Sequence, residues 1–156
     1  MGIWTTEAQT VGRPEEVMLL LTEPGAIRRW APIPFEVVDF NGERLTSGGT
    51  ARVRGGLIGR TLEFTVDVAQ ATRHRLALTA RGPIKIDVEY TAAPIPTGST
   101  VRARVAVSGR GLRGRLLAQA TEALLAAGAL AGAVTRLARE LEARRLEAPE
   151  LEAAAA

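Results

Sequence analysis

A chain of 156 residues, 46% of them hydrophobic, has the length of one domain and enough apolar material for a core, which excludes a disordered chain. It has no cysteine, so disulfide frameworks and thiolate metal sites are excluded, and a reducing, cytoplasmic setting fits. The net charge is only +3, and the one strongly basic zone, residues 101–115 with five arginines and no acid, is too short and too poor in aromatics for a nucleic-acid stripe.

The opening Met1 to Glu7 has neither a basic nor an apolar leader pattern, so no signal peptide is expected. Ile3 to Val11 alternates and predicts a strand. Pro14, Glu15 and Glu16 suit a first helical turn, and Val17 to Leu21 then predicts a short apolar helix that Glu23-Pro24-Gly25 ends. Ala26 to Trp30 predicts a second short helical turn, stopped near Pro32 and Pro34. Phe35 to Phe40 is β-favouring and runs into an Asn41-Gly42 turn. Thr50 to Arg54 follows Gly48-Gly49. Leu62 to Val68, Leu76 to Ala80, Ile84 to Tyr90 and Val101 to Val107 then alternate apolar and polar residues, with glycine or proline between them. Period-2 patterning of this kind predicts an antiparallel sheet with one dry and one wet face. The wet face carries Arg52, Arg54, Glu63, Asp67, Arg75, Arg81, Lys85, Asp87, Glu89, Arg102 and Arg104. It reads as a solvated surface of weak ion pairs, or as a docking face for a partner.

One long helix is expected from about Arg113 to Arg145, with Leu117, Leu124, Ala131, Ala138 and Leu141 recurring at helical spacing. Its centre is rich in small residues, and two interior glycines cost about 1 kcal/mol each against alanine. Gly128 and Gly132 therefore predict either a close-packed ridge or room beneath the helix for a guest. Leu116 to Val134 contains Gln119, Thr121 and Glu122 and is not read as a membrane span. One domain is expected over 1–147, with 148–156 set aside as a tail.

This order of elements, a strand, two short helices, six strands and a long helix, is that of the helix-grip fold. Residues 3 to 145 resemble the SRPBCC, or START-like (Bet v 1-like), superfamily. The resemblance is strongest to its bacterial polyketide cyclase/dehydrase and lipid-transport group. It is carried by Arg13-Pro-Glu-Glu-Val17, Leu20-Leu-Thr-Glu-Pro24 with Trp30, Phe35-Glu-Val-Val38, Gly49-Thr-Ala-Arg-Val53 and Gly111-Leu-Arg-Gly-Arg-Leu-Leu117. The resemblance implies an α+β fold in which a curved antiparallel sheet of about seven strands wraps a long C-terminal helix over a cavity. It places Trp30, Phe35 and Phe40 near the mouth of that cavity. Phe64, Leu78, Ile86 and Tyr90 would face it from the strands, and Leu124, Gly128 and Ala131 from the helix. Gln119, Thr121 and Thr135 could offer polar contacts from the helix, with exposure the default for each.

Catalytic signatures are weak. Gly109-Arg-Gly-Leu-Arg-Gly114 matches a dinucleotide fingerprint, but no second parallel strand follows it, so we read it as a loop at a helix entrance and expect no cofactor. Free backbone N–H groups there, with Arg110, Arg113 and Arg115, leave an anionic head group as a weaker option. His74 is the sole histidine and lies between arginines, so no metal site is expected. Ser47, Ser99 and Ser108 are expected in turns, outside any nucleophile motif. The inward strand positions are aliphatic apart from the proton donor Tyr90. Family cyclases place arginines and other polar groups within the pocket, whereas here the alternation sends the arginines outward. Three readings stand at this point: a binder or carrier of an apolar small molecule, a polyketide aromatase/cyclase using Tyr90, and a protein-interaction module. The chain would be a monomer or a homodimer, and its arginine-rich, lysine-poor composition suggests a GC-rich bacterial genome.

Overall fold

The computed structural model describes residues 2–26, 35–40, 42–57 and 59–155. The strands are β1 (Gly2–Thr10), β2 (Phe35–Asp39), β3 (Thr50–Leu57), β4 (Arg60–Ala71), β5 (Arg75–Arg81), β6 (Lys85–Ile95) and β7 (Gly98–Ser108). The helices are α1 (Pro14–Thr22), α2 (Gly111–Ala126) and α3 (Ala129–Ala155). The seven strands form one antiparallel sheet in the order β1-β7-β6-β5-β4-β3-β2. The chain order and the sheet are those of the expected α+β helix-grip fold.

α1 starts where the sequence predicts. Pro14 occupies the first turn, where a missing N–H costs nothing, and the Glu16 carboxylate accepts a bond from the Arg13 N–H at 3.4 Å. At the other end the Arg44 guanidinium donates to the Leu19 carbonyl at 2.6 Å, and the Leu45 N–H donates to the Thr22 carbonyl at 2.9 Å. These bonds satisfy carbonyls that the helix end leaves open. Helical residues resume at 24–26, but the expected turn through Trp30 lies outside the described residues.

Val66, Val68, Leu76, Ile84, Val101, Ala103 and Val105 are all buried, so the dry face is the one the alternation predicts. On the opposite face Arg52 reaches Glu63 at 3.2 Å, Arg75 reaches Glu89 at 3.0 Å and Arg102 reaches Glu7 at 2.9 Å. Register shifts near Val37/Asp39 and Val68/Gln70 bend the sheet without turning these arginines inward. The helices lie across the dry face, which closes the core.

The long final helix is in fact two helices, bent by 54° between α2 and α3. The cause is Gly128, whose φ of +97° lies in the left-handed region that glycine tolerates. Its N–H donates to the Leu125 carbonyl at 3.1 Å, and the Ala127 N–H donates to the Ala123 carbonyl at 3.0 Å. A Cβ built at Gly128 would meet nothing within 4 Å, so Gly128 serves the bend and not a close-packed ridge. α3 continues through the 148–155 segment.

Candidate functional site

The sheet and α2 enclose a partly open cavity of about 160 Å³. β3, β4, β5 and β6 form most of its wall through residues that alternate along each strand, as a pleat requires. Six of the expected ligand-facing residues line it: Phe35 and Phe40 at the β2 side, then Phe64, Leu78, Ile86 and Tyr90. Trp30 lies outside the described residues.

The three helix positions fall elsewhere. Leu124 and Ala131 are exposed, and Gly128 sits at the bend. α2 instead turns Thr121 and Leu125 toward the cavity. Leu124 and Leu125 are adjacent leucines in a helix of small residues, so hydrophobicity alone does not phase the helix. Thr121, expected on the surface, is fully buried. Its hydroxyl donates to the Leu117 carbonyl at 3.0 Å, one turn back, so it brings no free polar group to the space. Gln119 and Thr135 are exposed.

No polar atom of the described residues faces the cavity. Tyr90 contributes its ring, and the side chain is only 1% exposed. Burial pushes its phenol well above the ordinary 10.0, and the Arg136 guanidinium pulls it only partly back. Tyr90 is therefore a neutral phenol throughout the physiological range and cannot serve there as a general base.

The other expected features resolve structurally. Gly109 and Gly114 of the glycine-rich segment pack against each other's backbone, and Gly114 also approaches the Pro83 carbonyl. The glycines thus permit a tight entry into α2. Ser99 and Ser108 lie within β7, not in turns. Ser99 is fully buried and donates to the Gly12 carbonyl at 2.7 Å, tying β7 to the loop after β1. His74 is exposed in the β4–β5 turn, and no cluster of metal-ligating side chains occurs among the described residues.

A family model described as polyketide cyclase/dehydrase and lipid transport matches residues 4–144. The chain belongs to this family. No curated protein matches it by sequence. Solved structures match in fold at low identity. A protein from Chromobacterium violaceum aligns at TM-score 0.69 and 17% identity, over 91% of this chain and 99% of its own. One from Thermus thermophilus aligns at TM-score 0.67 and 15% identity, over 92% of this chain and 99% of its own. DynU16, a protein in the dynemicin biosynthetic locus, aligns at TM-score 0.56 and 22% identity, over 90% of this chain and 47% of its own. In this polyketide cyclase/dehydrase and lipid-transport family member the cavity surface contributed by the described residues is apolar.

Proposed function

We propose that this protein binds a hydrophobic small molecule and holds its apolar segment between the sheet and α2. The wholly apolar wall carries the reading. Burying hydrocarbon there yields about 25 cal/mol per Å², while burying a bare carbonyl or hydroxyl costs about 1–3 kcal/mol. A dry cavity of about 150 Å³ admits a benzene-sized guest, so the space suits one hydrocarbon segment. A polar head would remain at the mouth, beside Phe35 and Phe40. Phe64, Leu78, Ile86 and the Tyr90 ring would pack on the guest.

The family description also covers cyclases. Ring closure of a polyketide needs an acid and a base facing the substrate. No such pair faces this cavity among the described residues, so carriage or storage is the better reading than catalysis. The charged sheet face favours docking less, because Arg52, Arg75 and Arg102 are already matched by Glu63, Glu89 and Glu7.

Native mass spectrometry of protein purified without added ligand tests the reading, followed by denaturing extraction. The expected result is a co-purifying lipid-like mass, or saturable uptake of a fluorescent apolar probe by the empty protein. An apo mass with no probe uptake would overturn it.

A further inference from the structure

We propose that the outer face of α2 docks the protein on an anionic lipid surface. Three of the six large hydrophobic side chains exposed among the described residues lie on this one helix: Leu112 at 80%, Leu116 at 56% and Leu124. The opposite face of α2 buries Gly114, Leu117, Ala118, Thr121 and Leu125 against the core, so the helix is already anchored while Leu112 stands almost fully in solvent and Leu116 and Leu124 about half.

The arrangement around these leucines is specific. At about 100° per residue, Leu112, Ala123, Leu116 and Ala120 fall within an arc of about 80° on the outer face. Arg113 borders that arc on one side, with Leu124 just past it; exposed Gln119 and then Arg115 lie on the other, and Arg110 stands just ahead of the helix. All three arginines are exposed, and none has an ion-pair partner among the described residues. No acidic residue occurs between Glu89 and Glu122. An apolar strip edged by long cationic side chains is the pattern of a helix lying in a bilayer interface. Leucines enter the acyl boundary there, while arginine stems lie along it and their heads reach lipid phosphates. The strip is convex and carries only alanine between its leucines, which suits a deformable lipid surface. No single described helix is long and apolar enough to cross a membrane; α2 and α3 reach that length and hydropathy only as a pair, bent by 54°.

The inference is independent of the ligand reading, because it requires nothing in the cavity. Co-sedimentation with vesicles of equal parts phosphatidylcholine and phosphatidylglycerol tests it, against vesicles of phosphatidylcholine alone. Binding is expected only to the anionic vesicles and is expected to fall with added salt. Each of Arg113→Gln and Arg115→Gln should weaken partitioning about fivefold. The double variant Leu112→Ser/Leu116→Ser should abolish it while the protein still melts cooperatively within a few degrees of the parent, since Leu112 is almost fully and Leu116 about half in solvent. Arg102→Gln, which makes the same charge change on the sheet face, and Leu19→Ser, at an exposed leucine on α1, should bind as the parent does. No binding to anionic vesicles would overturn the proposal. So would equal losses in these two controls, or a dimer that the leucine substitutions dissolve.

Discussion

Ala80 on β5 lines the cavity between Val66 and Ile86, its partners in the ladder, and is the most direct place to fill the space from within. An empty cavity of about 160 Å³ costs up to about 4 kcal/mol at about 24 cal/mol per Å³. Ala80→Leu adds three carbons to that space. At about 0.8 kcal/mol per buried carbon it returns about 2.4 kcal/mol. Ordering the new side chain costs about 0.5–1 kcal/mol, so the net gain is about 1.5 kcal/mol. That corresponds to a rise in melting temperature of about 3–6 °C for a chain of this size. The same side chain occupies the guest's volume, so affinity for an apolar fluorescent probe should fall by about tenfold or more. Calorimetry and probe titration on one preparation read both effects. A more stable protein that binds less is a signature that few substitutions produce by accident. A lower melting temperature with probe affinity intact would refute the reasoning, because the volume would then not lie where Ala80 points.

The glycines of the final helices should respond oppositely to alanine. Gly128→Ala forces a Cβ into a left-handed backbone at φ +97° and should lower stability by about 1–2 kcal/mol. Gly132→Ala meets only the Arg136 guanidinium at 3.5 Å and should raise it by about 1 kcal/mol, with thermal melts of the two variants side by side as the check. Tyr90 is the sole tyrosine, so its ionisation can be read by absorbance. Burial raises its pKa in the folded protein, so the native state keeps a proton that the unfolded chain releases above its ordinary 10.0. The stability linked to Tyr90 is therefore complete below pH 10.0 and is lost as pH climbs toward the folded value. Tyrosinate absorbance should appear only together with loss of circular dichroism, and Tyr90→Phe should flatten the decline. Tyrosinate formed near pH 10.0 in a still-folded protein would contradict the buried placement.

The strand half of this protein was legible from its amino acids. Phe64, Val66, Leu76, Leu78, Ile86, Val88 and Tyr90 occupy alternate positions, and a pleated strand sends alternate side chains to opposite faces. A one-residue slip would have exposed every one of them, so the register, the apolar cavity wall and the outward arginines all follow from one period. The helical half was decided only by tertiary structure. Leu112, Leu116, Leu117, Leu124 and Leu125 are spread around α2 among alanines, so the spacing of the leucines does not by itself select the face that packs. Packing on the sheet chose Thr121 and Leu125 for the cavity and left Leu112 and Leu116 in solvent. The same packing required a bend, and Gly128, whose backbone alone there tolerates a left-handed turn, is where the helix breaks.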